Sequence, residues 1–216
     1  MFLPGYMSDM EGGKALAVDA WCARSARACI RLDYSGCGAS GGAFRDGTLA
    51  RWRDDVIDVI GAAAPDGPLV LIGSSMGGWL MLLVALAMPG RIAALVGIAA
   101  APDFTDWGFS DAQKAAFARG EDLVEPSAYS DEPYVTTAAF WHSGEANRLL
   151  DGPIPLACPV RLLHGQAAPD VPWSVSLRLA GALGSADVQT LLVKDGDHRP
   201  SRPHDIALLL RAIEDL

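Results

Sequence analysis

The sequence is short of positive charge, of long apolar runs and of patterned cysteines, and each shortage excludes a class of function. Lys and Arg number 17 against 26 Asp and Glu, a formal net charge of −9 at pH 7. The basic residues are scattered rather than clustered. Such a chain offers no electrostatic footprint for nucleic acid and none for an anionic membrane surface. The longest apolar runs stop at about ten to twelve residues, short of the roughly 20 that a membrane-spanning helix needs. No membrane span is therefore expected. The opening Met1-Phe2-Leu3-Pro4-Gly5 has neither the basic region nor the long apolar core of a secretory signal. Cys22, Cys29, Cys37 and Cys158 show no C-x-x-C spacing. They read as reduced, partly buried thiols, and the expected location is cytoplasmic.

What is present is apolar bulk. Half of the 216 residues are hydrophobic, enough for one large core, so residues 1–216 are expected to form a single domain. Met1-Phe2-Leu3 reads as a short strand ended by the turn Pro4-Gly5-Tyr6. Residues 13–26 carry apolar side chains at helical spacing, and 28–32 read as the next strand. Residues 48–63 form an expected helix with Thr48 as N-cap and Leu49, Trp52, Val56, Ile57, Val59 and Ile60 facing inward. Its Arg51, Arg53, Asp54, Asp55 and Asp58 read as a solvated face. Residues 68–72 and 92–100 are buried strands, and 158–165 and 187–193 complete the set. Residues 173–183 and 203–216 are expected helices. Strand and helix alternating at short intervals predict an α/β fold, a mostly parallel sheet with helices on both faces.

Residues 102–155 break that rhythm. They carry Phe104, Trp107, Phe109, Phe117, Tyr129, Tyr134, Phe140 and Trp141 among many acidic residues. The segment reads as a small lid insertion whose aromatics either line an apolar pocket or form its own core.

Between the strand 68–72 and the apolar helix that follows lies Gly73-Ser74-Ser75-Met76-Gly77. A G-x-S-x-G on a strand-to-helix turn is the context of a nucleophile elbow. The sharp turn leaves no room for bulk beside the serine, which Gly73 and Gly77 respect. It lifts the Ser75 hydroxyl above the sheet. It also aims the Met76 N–H, at a helix N-terminus, at a developing oxyanion. If the first strand runs parallel beside this one, the Tyr6 N–H is a natural second donor. The base is expected on the loop after the last strand, where His198 stands. His142, His164 and His204 are placed less well. A second glycine-rich run, Gly36-x-Gly38-x-x-Gly41, follows the strand 28–32 and resembles a dinucleotide fingerprint. It does not open directly into a helix, as pyrophosphate binding requires, so a loop over a pocket is the better reading.

As a set, these stretches resemble the α/β-hydrolase superfamily. Within it they resemble the abhydrolase-domain branch that contains the mitochondrial palmitoyl-protein thioesterase and acyl-glucuronide esterase. The matching segments are Phe2-Leu3-Pro4-Gly5-Tyr6, Cys29 to Gly36, Gly73 to Met81, Cys158 to Gly165, Val171-Pro172-Trp173 and Asp197-His198-Arg199. The resemblance implies Ser75 as nucleophile, His198 as base and the N–H groups of Tyr6 and Met76 as oxyanion hole, with no metal or organic cofactor. It implies an acyl ester or thioester as substrate, and the acidic surface and small lid point to small or modest-chain acyl groups rather than bulk lipid. The acid departs from the pattern. Where the family reads H-G-x-x-D-x-x-V-P, this chain reads His164-Gly165-Gln166-Ala167-Ala168-Pro169-Asp170-Val171-Pro172. Ala168 stands where the acid belongs. Either the acid is lost and the enzyme weakened, which is the favoured reading, or Asp170 or Asp103 replaces it. Pro200, behind His198, also departs from the family. The expectation is a serine carboxylesterase or thioesterase, with a non-hydrolytic binding protein of the same fold as the alternative.

Overall fold

The computed structural model describes residues 1–126, 133–196 and 202–216. In chain order the elements are β1 (Phe2–Leu3), α1 (Gly13–Arg24), α2 (Leu49–Ala63), β2 (Leu69–Ser74), α3 (Met76–Ala87) and β3 (Ile92–Ile98). There follow α4 (Phe104–Trp107), α5 (Asp111–Ala118), β4 (Leu123–Glu125), β5 (Tyr134–Thr136) and α6 (Ala138–Glu145). The chain closes with β6 (Val160–Gly165), α7 (Ser174–Ala182), β7 (Val188–Val193) and α8 (Pro203–Glu214).

Five strands form one sheet in the order β1-β2-β3-β6-β7, and every pairing is parallel. Successive side chains on a strand point to opposite faces, and the branched residues here fill both. Leu3, Leu71, Leu95 and Leu162 face one core with α2, α3 and α7. Their neighbours Phe2, Ile72, Val96 and Leu163 face a second core with α1 and α8. Helix α3 is apolar all round because it is covered all round: each residue from Met76 to Ala85 is buried. Thr48 caps α2 by accepting the Arg51 N–H at 3.2 Å, as its sequence position predicted.

Two expectations change. Residues 28–32 do not form a strand; Arg31 makes one isolated parallel bridge to Phe2. β1 is only two residues long and offers a partner no longer ladder. Asp55 is not simply solvated either. It accepts the Ser35 N–H and hydroxyl at 2.8 and 2.7 Å, tying α2 to the loop that precedes it.

Residues 102–155 contain α4, α5, the antiparallel pair β4–β5 and α6. Of the two roles the sequence left open for their aromatics, the internal core is present, and a second group packs against the body of the fold. Phe117 stacks on Trp141 with Phe109 against it, an internal core. Phe104, Tyr134 and Phe140 instead face Tyr6 of the main domain, with ring centroids 6.1, 5.4 and 4.7 Å away. Tyr129 lies outside the described residues.

Candidate active site

Ser75 closes β2 and begins α3 with φ 54° and ψ −121°. A non-glycine residue in that region stores on the order of 1–3 kcal/mol and persists only where its surroundings over-determine it. Here they do. The Ser75 N–H donates to the Ile98 carbonyl at 2.9 Å, and its own carbonyl accepts from Gly78 and Ala101 at 2.9 and 3.1 Å. The flanking glycines are required by close approach. A Cβ on Gly73 would strike the Gly77 carbonyl, and one on Gly77 would strike the Leu3 carbonyl. The turn is thus packed from below and Ser75 remains partly exposed above it.

The parallel β1–β2 pairing sets Leu3 opposite Gly73, which carries the Pro4-Gly5-Tyr6 turn to the serine. A Cβ placed on Gly5 would lie 3.3 Å from the Ser75 Cβ and 4.0 Å from its Oγ. Among the described residues, neither the Tyr6 nor the Met76 N–H donates a hydrogen bond. Two backbone donors are therefore uncommitted on the turns that flank Ser75. The Tyr6 side chain is buried, and its hydroxyl donates to the Val135 carbonyl at 2.7 Å.

His198 lies outside the described residues, as do Asp197 and Pro200. Both feet of its loop are described. On one side the Gln166 N–H donates to the Val193 carbonyl at 2.8 Å and the Ala167 N–H to the Gly196 carbonyl at 2.9 Å. These bonds zip the β6–α7 turn, which holds Ala168, to the start of the β7–α8 loop. On the other side Arg202 donates to Asp195 at 2.9 Å and to Asp205 at 2.8 Å, spanning the same loop. Hydrogen bonding to Arg202 holds both carboxyls below their usual range.

The remaining histidines have other employment. His164 is buried, its Nε2 3.0 Å from the Val171 carbonyl and its Nδ1 2.7 Å from the Ser176 hydroxyl. A carbonyl can only accept, so Nε2 carries the proton and Nδ1 accepts from Ser176. Burial lowers its pKa and keeps it neutral. His204 Nε2 lies 2.9 Å from Asp205. His142 is exposed on α6 beside Trp141.

The acid candidates separate in the same way. Ala168 sits in the β6–α7 turn with its N–H directed at the Gly165 carbonyl, 3.3 Å away. Asp170 is exposed two residues on. Asp103 is 1% exposed, and its two oxygens accept the Leu149 and Leu150 N–H groups at 2.8 and 2.7 Å. Those bonds hold the end of the insertion and commit both Asp103 oxygens to backbone donors. Burial pushes its pKa up.

The glycine-rich loop folds around its own carboxylate. Asp33 accepts the Met10 N–H at 2.7 Å and the Ala39 N–H at 2.9 Å. The space a Cβ would need at Gly38 is filled by that carboxyl. A short 3-10 turn follows the loop, so no α-helix N-terminus faces it in the manner of a pyrophosphate site. Among the described residues there is no group of three or more His, Cys, Asp or Glu that could hold a metal. No described helix is long and apolar enough to cross a membrane. Sequence reading missed the anchoring roles of Asp33, Asp103 and Arg202. Each is a carboxylate or guanidinium beside a turn, and its partner lies far along the chain or across a loop.

The alpha/beta hydrolase family profile matches residues 2–214. The chain belongs to the alpha/beta hydrolase family. It is 43% identical over 221 residues to the human "Palmitoyl-protein thioesterase ABHD10, mitochondrial", covering all of this chain and 72% of that protein. The structure of alpha/beta hydrolase domain-containing protein 10 from mouse superposes with a TM-score of 0.91 at 42% identity, covering 99% of this chain and 87% of that one. Est1E from Butyrivibrio proteoclasticus with bound ferulic acid matches at a TM-score of 0.80 and 19% identity, covering 99% of this chain and 85% of that one; it shares the fold. The relatives' names also correct the expected location. The human, orangutan and mouse proteins are all named mitochondrial, which overturns the cytoplasmic reading. Reduced thiols separate reducing from oxidising compartments and do not separate one reducing compartment from another.

Proposed function

We propose that this α/β hydrolase cleaves carboxylic esters or thioesters of small to medium acyl groups through an acyl-enzyme on Ser75. The observation that carries the reading is the strained, fully braced Ser75 backbone beside two uncommitted N–H donors. Strain of that kind is maintained where it serves a reacting group.

Ser75 Oγ attacks the acyl carbonyl while His198 takes its proton. The tetrahedral oxyanion is received by the N–H groups of Tyr6 and Met76, the latter at the positive end of α3. The intermediate collapses, the C–O or C–S bond breaks, and His198 returns the proton to the leaving alcohol or thiol. Water, deprotonated by His198, then attacks the acyl-enzyme and releases the carboxylic acid and free Ser75. The engagement of His164 and His204 elsewhere supports His198 as the base. Residues 102–155 act as a lid, with Phe104, Tyr134 and Phe140 against the oxyanion turn. The thioester half of the reading is supported by the relatives named palmitoyl-protein thioesterase. No organic cofactor or metal takes part in these steps.

Ala168 occupies the acid's position, so the imidazole lacks an orienting carboxylate. In a serine triad this loss costs on the order of 10⁴-fold in turnover. The same substitution favours the second reading, a binding protein on a hydrolase scaffold. Hydrolysis of p-nitrophenyl esters of graded chain length separates the two. Ala168→Asp is expected to raise turnover by about 10³- to 10⁴-fold, and adding Ser75→Ala is expected to abolish it. If all three proteins are inert, the hydrolase reading fails and the binding reading stands. If Ala168→Asp changes nothing in an active chain, the acid lies elsewhere and Asp170 is tested next.

A further inference from the structure

The turn that follows β1 is held from beneath and from above. Beneath it, the wholly buried Tyr34 donates its hydroxyl to the Pro4 carbonyl at 2.9 Å. A little further on, Asp33 accepts the Met10 N–H at 2.7 Å and Arg31 donates to the Met10 carbonyl at 2.6 Å. Those three partners belong to the main domain. The attachment from above does not. The Tyr6 hydroxyl donates to the carbonyl of Val135, a β5 residue of the 102–155 insertion, at 2.7 Å.

A phenylalanine would fill the ring space at position 6 equally well, because the ring packs among Phe44, Trp52, Phe104, Tyr134 and Phe140. The hydroxyl adds a polar group to a site 8% exposed, where it must find a partner. Its partner is the insertion's backbone. Burial pushes the phenol's pKa well up, so it stays a donor. The insertion has other attachments to the body, which act at a distance from this turn. The Ala50 N–H of α2 donates to the Ser143 hydroxyl of α6 at 3.0 Å.

We propose that the Tyr6 phenol is a positioning group: through its hydrogen bond to Val135, the docking of the 102–155 insertion sets the aim of the Tyr6 N–H at Ser75, so that the oxyanion hole is complete only when the insertion is seated. The proposal rests on the reading of Ser75 as nucleophile and of the Tyr6 N–H as an oxyanion donor. The ring is packed on several sides and bonded at its hydroxyl, so its χ torsions have little room, and a displacement of Val135 that they do not absorb is passed through the shared Cα to the Tyr6 N–H. Misplacing a catalytic group by about 1 Å costs up to ~10²-fold.

The test compares the parent chain with Tyr6→Phe, Ser143→Ala and the double variant. Active sites are counted by complete labelling of Ser75 with a fluorophosphonate, and rates are expressed per labelled serine. Tyr6→Phe is expected to lower kcat about 10-fold, part of the 10²- to 10³-fold seen when an oxyanion donor is removed outright, with KM within twofold. The Ki of an aryl boronic acid, which forms a tetrahedral adduct on serine, is expected to rise by the same factor. Ser143→Ala is expected to lower kcat about threefold in the parent and to leave it unchanged in the Tyr6→Phe background, the signature of one shared route. A kcat for Tyr6→Phe within twofold of the parent overturns the proposal, and so do effects that simply multiply. If Tyr6→Phe fails to fold, Ser143→Ala carries the test alone. A fall in kcat at constant KM supports the proposal, and an unchanged kcat overturns it. A parent chain whose Ser75 takes no fluorophosphonate overturns the hydrolase reading itself, a result distinct from any of these.

Discussion

At the elbow, Ser75 is placed by backbone alone: its N–H and carbonyl are both bonded, and glycines press against carbonyls on either side. Two strands over in the sheet, the turn holding Ala168 is also placed by backbone, through the Gln166–Val193 and Ala167–Gly196 bonds. The two regions are equally well built and differ in what they present. The first ends in a hydroxyl. The second ends in the methyl group of Ala168, at the position we propose for the acid. The bonds that hold the Ala168 turn do not run through the side chain of residue 168, so that side chain can change without loss of the turn's hydrogen bonds. Under the proposed reading, Ala168→Asp therefore adds one carboxylate and leaves the turn's own bonds in place.

After the Ser75 and Ala168 substitutions themselves, breaking the elbow's backbone gives the largest expected effect. Gly77→Ala drives a Cβ into the Leu3 carbonyl, so β1 or the first turn of α3 must move. Overpacking of that kind costs about 1–3 kcal/mol of stability. Because the displaced strand carries the oxyanion turn, turnover per folded molecule should fall at least ~10²-fold, as when an oxyanion donor is lost. Urea unfolding and p-nitrophenyl ester hydrolysis measure the two losses. Unchanged turnover would mean that β1 does not set the site.

On the other side the comparison is sharpened by a side chain. Arg202 bridges Asp195 and Asp205 across the foot of the His198 loop. Arg202→Met removes both bonds and keeps an apolar stem. Turnover is expected to fall about 10-fold, a tenth of what ~1 Å of misplacement can cost, while the number of serines labelled by fluorophosphonate stays the same. The elbow should not register the change. Loss of labelling along with turnover would show that the two regions are not separable.

The difference between the regions also governs what could be read from the residues. The elbow was legible because its requirement is steric. Only glycine fits where a backbone passes, and Gly73 and Gly77 announce that at fixed spacing around Ser75. The parallel sheet was legible in its central strands, where both faces are covered and apolar runs are continuous. Residues 28–32 look like such a strand, but β1 is too short to pair with them beyond Arg31. The glycines at 36, 38 and 41 were ambiguous because the same spacing serves a phosphate or a carboxylate. That the carboxylate is Asp33, just upstream, shows only in three dimensions. The aromatics of 102–155 could not be divided by sequence between the insertion's own core and the face toward Tyr6. That division depends on how α6 lies against α2. His198 was chosen by chain order, and its surroundings lie outside the described residues.

The smallest expected effect concerns a histidine that the site does not use. His164 is the next-to-last residue of β6, just before the Ala168 turn, and its two nitrogens join Val171 to Ser176 across that turn. Burial lowers its pKa below the ordinary 6.5. The unfolded chain therefore takes up a proton at a higher pH than the folded one. Stability contributed by neutral His164 is complete above about pH 6.5 and declines as pH falls toward the lowered folded value, by at most ~1.4 kcal/mol per pH unit. Urea midpoints measured from pH 8 down to pH 5 should stay level to about 6.5 and then fall. His164→Gln should begin from a lower midpoint and lose that part of the slope. A slope that survives the substitution would assign the proton to another group and would leave the β6–α7 turn without its buried clasp. The elbow has no titrating group in its bracing bonds, so its backbone geometry should not change with pH wherever the chain remains folded.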